Sequence, residues 1–176
     1  EFFISDRDEK NIGSIITPIF EGSRVFLYEI QSLLGTPNFG MPRRTVEGYD
    51  RNRLEILGAV LSKHLQVDVN SKDIYINIPG GIELNDRSSD LAVIFSLISS
   101  INRTPVSQKI AAIGELGLRG EVRKVSFIKN RVNELEKLGF SGVYLPMSNK
   151  TDLEKEKFKI KLNYISNISE LVERIK

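Results

Sequence analysis

The sequence contains no cysteine, no tryptophan and a single histidine, His64. The absence of cysteine excludes disulfide bonds and thiolate metal sites, and one histidine cannot build a zinc or iron site unless carboxylates surround it. We therefore expect no metal ion in this chain. The sequence also lacks an uncharged apolar stretch of the roughly 18 to 20 residues that a membrane helix needs, and its start lacks the features of a signal peptide. These absences predict a cytoplasmic location without membrane insertion.

What is present is the composition of an ordinary globular domain. The chain has 176 residues, of which 40% are hydrophobic and 27% are charged, so it can bury one sizeable core. It begins with glutamate and a polar stretch, which favours one domain of a longer protein. We expect residues 1–12 to be a linker remnant from an upstream ATPase core and residues 13–176 to form the domain.

The net charge of +2 is distributed unevenly. Residues 41–53 hold four arginines against two acids, and residues 119–131 hold five basic residues against one acid. Such clusters indicate an anionic partner such as a nucleic-acid backbone, although charge runs are also typical of solvated faces. The candidate nucleic-acid-binding residues are Arg43, Arg44, Arg51, Arg53, Arg119, Arg123 and Lys124.

Hydrophobic periodicity predicts a mixed sheet covered by helices. The first two strands are separated by Glu21-Gly22-Ser23, which predicts a hairpin. Asp50 is a natural N-cap for the first helix. The predicted strands are 14–20, 24–34, 44–49, 73–80, 109–117, 121–125, 142–146 and 159–165. The predicted helices are 51–65, 88–101, 127–138 and 167–175, the last capped by Ser166 or Asn167.

Several ungapped motifs occur in a specific order along nearly the whole chain. They are the stretch "PGGI" at 79–82, a serine at a helix start, "GELGLRGEVRKV" at 114–125 and "LGFSGVYLP" at 138–146. In this order they resemble the peptidase-like domain of the Lon protease family. The resemblance is strongest to the Lon-like domain found at the C-terminus of a family of bacterial DNA repair ATPases. The resemblance implies an α/β fold like domain 2 of ribosomal protein S5, with an N-terminal β-hairpin.

Lon peptidases use a serine nucleophile whose proton is taken by a neutral lysine. The resemblance places Ser88 at the position of the nucleophile and Lys129 at the position of the base. The flanking residues differ, because active Lon proteins have Pro-Lys-Asp-Gly-Pro where this chain has residues 83–87. They also have a Gly-Gly pair where this chain has Ser126-Phe127. We therefore expect no catalytic residue here, with Ser88 and Lys129 as vestiges of a dyad.

A serine at this place also has a structural explanation. Ser88 or Ser89 could cap the following helix, while Asp90 in its first turn would be favoured by the helix dipole. On this interpretation the stretch needs no catalysis. The alternative, a serine-lysine peptidase with altered flanks, stays open at this point.

The resemblance also implies a larger assembly. Its members join a zinc-binding module and a RecA-type ATPase to this domain and form hexameric rings on recombination intermediates. This chain has no CxxC pair and no GxxxxGK[ST] loop, so ATP, magnesium and zinc are expected outside it and no cofactor within it. We expect a non-catalytic scaffold that supports a homo-oligomeric ring and contacts single-stranded or branched DNA. The alternatives are the peptidase and a protein-binding module that uses the vestigial groove.

Overall fold

The fold is built on the predicted β-hairpin. A computed structural model describes residues 2–3, 11–38 and 40–174. Most of the predicted linker, residues 1 and 4–10, lies outside the described residues, so that boundary stays a prediction. The hairpin is confirmed, because its two strands pair antiparallel from Ser14 with Gln31 to Glu21 with Arg24.

Strands and helices are interspersed along the chain and are not segregated into separate regions. The strands are β1 (Phe2–Phe3), β2 (Ser14–Glu21), β3 (Arg24–Gly35), β4 (Arg44–Glu47), β5 (Asp73–Asn77), β6 (Ile110–Ala112), β7 (Glu115–Leu116), β8 (Val122–Arg123), β9 (Gly142–Pro146) and β10 (Lys161–Ile165). The helices are α1 (Arg51–Leu65), α2 (Asp90–Asn102), α3 (Ile128–Lys137), α4 (Lys150–Leu153) and α5 (Ser169–Arg174), with short 3₁₀ turns at Arg87–Ser89 and Met147–Asn149.

One mixed sheet organises the chain. Its strand order is β10-β9-β6-β2-β3-β5-β4, and β1 pairs with β3 outside this path. The pairs β2–β3 and β3–β5 are antiparallel, whereas β2–β6, β6–β9, β9–β10 and β4–β5 are parallel. β7 and β8 form a separate two-stranded antiparallel sheet. The predicted α/β class with a mixed sheet is confirmed.

Helices cover both faces of the sheet, as the alternation along β2 requires. Ile15 and Ile19 belong to the larger core cluster, which includes residues of α1, α2 and α5. Ile16, which points to the other face, belongs to a second cluster with residues of α3 and α4. Helix α2 is apolar nearly all round, and all of its residues from 90 to 99 are buried. A helix with this apolar character must be covered on several sides, and the burial of residues 90–99 meets that requirement.

The start of α2 corrects one prediction from the sequence. Ser89 occupies the N-cap position but makes no side-chain cap, and its hydroxyl donates instead to the Asp86 carbonyl at 2.7 Å. The Asp86 carboxylate accepts from the N–H of Ser88 at 2.9 Å. The predicted serine cap is therefore wrong, because the carboxylate just before the turn takes the exposed amide.

The predicted strand 109–117 is also corrected, since it divides into β6 and β7. Between them, Gly114 leaves the main sheet, donating its N–H to Ser88 at 2.7 Å and accepting from Leu91 at 2.9 Å. The break therefore ties the chain to the beginning of α2. The predicted partner of this strand survives as β8, which pairs with β7.

Other predicted boundaries hold closely. The Asp50 side chain caps α1 by accepting from the N–H of Arg53. The Asn167 side chain accepts from the N–H of Ser169 at the start of α5, as one of the two predicted caps requires. The predicted last residue of that helix, Ile175, lies outside the described residues.

Among residues 2–3, 11–38 and 40–174, no helix combines the length and the apolar character needed to cross a bilayer. Within the same residues, no three side chains of His, Cys, Asp or Glu lie together in a way that could hold a metal ion.

Candidate functional site

The candidate nucleophile Ser88 lies inside the protein, with 3% of its surface exposed. Its hydroxyl accepts a hydrogen bond from Nη1 of Arg131 at 2.8 Å. The same nitrogen donates to the carbonyl of Pro18 at 2.7 Å. The serine is thus joined through a guanidinium to the middle of β2, in the interior of the domain.

The remaining donors of Arg131 are used as well. Its Nε donates to the carbonyl of Ser126 at 3.1 Å, and its Nη2 pairs with Oδ2 of Asp86 at 3.0 Å. Burial alone would raise the pKa of Asp86, but the Ser88 N–H and the Arg131 guanidinium outweigh burial and lower it. Arg131 is 2% exposed and connects the start of α3, β2 and the turn before α2. We call Ser88, Arg131, Asp86 and the Pro18 carbonyl the arginine lock.

The candidate base Lys129 lies elsewhere. Its side chain is 54% exposed and its Nζ pairs with Oε1 of Glu156 at 2.5 Å. Lys129 and Arg131 are two residues apart on α3, so their side chains point in different directions. The structure therefore does not bring Ser88 and Lys129 together. The basic group at the serine is a guanidinium, which stays protonated in proteins and cannot accept the hydroxyl proton.

Phe127, at the start of α3, also departs from the Lon pattern, which has a glycine pair where this chain has Ser126-Phe127. It has φ of +55°, a left-handed conformation that costs a non-glycine residue roughly 1–2 kcal/mol. Its ring stacks on Phe20 with centroids 4.1 Å apart, yet 55% of the residue is exposed. The position where the family has glycine thus keeps the glycine-like backbone while carrying a large aromatic side chain.

A second internal charge pair is centred on Asp90, which is completely buried. Both nitrogens of one edge of the Arg53 guanidinium pair with its carboxylate, and Nε of Arg53 lies 3.0 Å from Oδ1. Asp90 also accepts from the Tyr49 hydroxyl and from the N–H of Leu116, each at 3.0 Å. Arg53 completes the network by donating to the Leu116 carbonyl at 2.8 Å. The network holds α1, α2 and β7 together.

The electrostatics of this network fix its protonation. Burial and then the negative charge of Asp90 raise the pKa of Tyr49, so its hydroxyl keeps the proton that it donates. The hydrogen bond to Asp90 raises the pKa of Arg53. The approach of Tyr49 depends on Gly48, which has φ of +76° and where a Cβ would lie 2.4 Å from the carbonyl oxygen of Ile82. Only glycine fits at that position.

Arg44 is also directed into the protein. Its Nη1 donates to the carbonyl of Lys72 at 2.7 Å, and its Nη2 to that of Val69 at 3.3 Å. Its side chain is 8% exposed, and Nε lies 3.6 Å from Glu55. Arg44 therefore anchors the loop before β5 to β4, and its guanidinium is poorly placed to reach a phosphate.

The other predicted nucleic-acid residues are on the surface. Arg43, Arg51 and Arg119 are exposed, and their guanidinium groups have no acidic partner among the residues that the structure describes. Arg123 pairs with Glu121 at 2.9 Å and Lys124 with Asp152 at 2.8 Å. The four arginines of residues 41–53 do not converge, since Arg44 and Arg53 point inward while the other two point outward.

Sequence reasoning did not identify Arg131 and Asp90 as the centres of these networks. A signal for Arg131 was present, because Ile128, Arg131, Val132 and Leu135 follow the helical spacing of a buried stripe. A cation in such a stripe must find internal partners. Asp90 gave a weaker signal, since an acid in the first turn of a helix is equally common at a solvated start.

A serine just before a largely buried helix, on a mixed sheet that includes a β-hairpin near its start, is the arrangement that the resemblance to the Lon family implies. The family model of the Lon protease (S16) C-terminal proteolytic domain matches residues 56–175, and the chain belongs to that family. The similar proteins reported next are all of one kind within this family.

These relatives are DNA repair proteins named RadA. The chain is 40% identical to RadA of Bacillus subtilis over 170 residues, covering 97% of this chain and 37% of that protein. It is 41% identical over 149 residues to RadA of Halalkalibacterium halodurans, with 85% and 33% covered, and 39% identical over 150 residues to RadA of Helicobacter pylori, with 84% and 34% covered. The chain thus spans about a third of the length of these curated relatives. The DNA repair family that the sequence resembles, RadA or Sms, is confirmed.

Proposed function

We propose that this chain is the non-catalytic Lon-like domain of a RadA-type DNA repair protein. In this proposal it supports assembly of a homo-oligomeric ring in the cytoplasm and contacts DNA through a basic surface. ATP hydrolysis, magnesium and zinc belong to the upstream domains of the longer protein, and the domain itself needs no cofactor.

The arginine lock is the observation that carries the non-catalytic part of the proposal. Catalysis would require Ser88 to be accessible and hydrogen-bonded to a neutral amine. Instead the hydroxyl is buried and accepts from the charged Arg131, while Lys129 is paired with Glu156 at the surface. Of the two residues at the family's catalytic positions, Ser88 stabilises the junction of α2, α3 and β2, and Lys129 forms an ion pair at the surface.

Hydrolysis by the purified chain tests this directly. We expect wild-type protein and Ser88→Ala to show the same background with casein and with fluorogenic peptides. The substitution removes one hydrogen bond to Arg131 and should lower the free energy of unfolding by about 1 kcal/mol. Hydrolysis by the wild type that Ser88→Ala abolishes would contradict the proposal, and Ser89→Ala is the matched control for a neighbouring buried hydroxyl.

The arginine edge, defined as Arg43 and Arg51, supports the DNA-contacting part. Both are exposed and flank the edge strand β4, so their guanidinium groups are available for bidentate contacts with phosphate. Arg119, at the exposed tip between β7 and β8, adds a third available cation. We do not include Arg44 and Arg53 among the proposed DNA-binding residues, because their guanidinium groups donate to partners within the protein.

The DNA-contacting part is tested by the salt dependence of affinity for single- and double-stranded DNA. Each lost phosphate contact should reduce the slope of log affinity against log salt by about 0.9 on duplex DNA. We expect Arg43→Gln/Arg51→Gln to reduce the slope by roughly 2. Arg24→Gln, which removes an exposed charge at the start of β3, is the control. Equal slopes for wild type and the double variant would exclude the arginine edge.

Ring support is tested in the longer protein. Sedimentation of that protein with and without residues 13–176 should show loss of the ring when the domain is deleted. A ring that persists without the domain would contradict the scaffold role.

A further inference from the structure

A row of lysines lies along the chain where it approaches β10. Lys157, Lys159 and Lys161 are exposed, and they alternate with Phe158 and Ile160. The two intervening side chains pack into the second core cluster. With the intervening side chains packed into that core, the three exposed lysines lie on the solvent side of the segment.

The backbone under these lysines is held firmly. The Glu136 carboxylate of α3 accepts from the N–H of Lys159 and, at 2.9 Å, from the N–H of Ile160. The N–H of Lys161 donates to the carbonyl of Ser141 at 2.9 Å, and β10 then pairs with β9. The backbone positions of Lys159 and Lys161 are therefore held, while their ammonium groups remain in solvent.

No acid neutralises this row among the residues that the structure describes, since none of the three ammonium groups forms an ion pair. Of the nearby acids, Glu136 accepts from backbone amides and Glu156 pairs with Lys129, while Glu154, whose charge acts on Tyr164 of β10, forms no ion pair with any of the three lysines. A fourth exposed lysine, Lys109, lies at the same end of the sheet, because its carbonyl accepts from Ser141 at 2.9 Å and from Gly142 at 3.2 Å.

We infer that Lys109, Lys157, Lys159 and Lys161, here called the lysine edge, bind the phosphate backbone of a nucleic acid. Ammonium groups on flexible stems form point-charge contacts that do not require a particular base, which suits phosphates rather than base edges. The inference rests on the proposed function only in taking DNA as the ligand. Its site is different, because β10 and β4 are opposite edges of the sheet, six strand spacings or roughly 29 Å apart.

Protection of an edge strand does not account for the whole row. Lysines on edge strands prevent pairing with other chains, and Lys161 in β10 could serve that purpose. Lys157 and Lys159 precede β10 and do not lie on its exposed edge. Their exposed ammonium groups are available to a partner that carries negative charge.

The test compares Lys157→Gln/Lys159→Gln/Lys161→Gln with wild type, using the 176-residue chain and fluorescently labelled single- and double-stranded DNA over a series of salt concentrations. Lys63→Gln/Lys137→Gln/Lys150→Gln, which removes three exposed lysines outside the row, is a control with the same net charge. We expect the first variant to bind roughly tenfold more weakly or worse, with the duplex slope reduced by about 2–3, and the control to stay near wild type.

Four outcomes would overturn the inference in different ways. Wild type that binds with a slope unchanged in the lysine variant, but reduced in Arg43→Gln/Arg51→Gln, removes the lysine edge and leaves the proposed function intact. If the wild type does not bind DNA, both the lysine edge and the DNA-contacting part of the proposed function are excluded. A lysine variant that aggregates while its folded fraction binds DNA normally assigns the row to edge protection. Polyglutamate that binds as tightly as DNA assigns it to an acidic protein partner.

Discussion

Two basic regions of the protein, residues 41–53 and residues 157–161, use their charges in opposite ways. In residues 41–53, two of four arginines, Arg44 and Arg53, are drawn into the protein by backbone carbonyls and a buried carboxylate. In residues 157–161, all three lysines stay in solvent. The difference follows from chemistry, because a guanidinium presents five donors in a plane and is weakly hydrated, whereas an ammonium is compact and strongly hydrated.

The comparison teaches that a cluster of arginines in a sequence overstates the charge available to a partner. Arg131 is the extreme case, with its guanidinium bonded to Pro18, Ser88, Ser126 and Asp86. An arginine close in the fold to free carbonyls becomes part of the structure. A lysine row over a covered backbone stays available for binding.

The contrast between inward and outward arginines predicts the largest loss of stability at Arg53. Arg53→Ala leaves the fully buried Asp90 carboxylate without its cation, and breaking a buried pair in this way costs about 3–5 kcal/mol. Arg51→Ala, two residues earlier and exposed, should change the free energy of unfolding by less than about 0.5 kcal/mol. Urea unfolding measures both values. If the two substitutions cost the same, the division into inward and outward arginines is wrong.

Arg131 gives the second largest effect. Arg131→Met leaves the Ser88 hydroxyl and the Pro18 carbonyl buried with fewer partners, which should cost about 2–3 kcal/mol in urea unfolding. Arg131→Lys should recover only part of this loss, because one ammonium cannot reach four acceptors in the geometry of a planar group. Full recovery by lysine would mean that charge alone matters at this position.

Local signals in the sequence predicted the elements well. The strand at 142–146 and the helix at 51–65 have the predicted bounds, and Asp50 caps α1 as expected. These features depend on residues close in sequence. The Ser88–Arg131 contact joins residues 43 apart, and the row of free lysines depends on which acids α3 places nearby. Such contacts are set by packing and could not be read from spacing alone.

The serine cap shows a different kind of failure. The sequence offered a carboxylate at Asp86 and hydroxyls at Ser88 and Ser89 as acceptors for the same exposed amides. All three are good capping groups, and their propensities barely differ. The choice of Asp86 follows from Arg131, which holds that carboxylate in place from a distant helix.

The charge of Asp86 predicts a dependence on pH. Its pKa is held below the ordinary value of 3.8, so the carboxylate favours the folded state. The stabilisation is present above about pH 4 and is lost as the pH falls through the folded pKa. Asp86→Asn should therefore be less stable than wild type at pH 7, and the difference in urea midpoint should shrink below pH 4. A difference that does not change with pH would separate Asp86 from the arginine lock.

Lys129 should give the smallest effect, although it occupies the position of the Lon base. Its pair with Glu156 is exposed on both sides, and such pairs contribute about 0–1 kcal/mol. Lys129→Gln, Glu156→Gln and the double variant form a cycle whose coupling should be below about 1 kcal/mol and should fall as salt rises. A lysine that served as a base would need burial beside Ser88 to stay neutral, and coupling between Lys129→Gln and Ser88→Ala in a second cycle would restore the dyad. We expect no such coupling. Two residues of the same helix then have different roles, because Arg131 stabilises the fold and Lys129 is a surface charge.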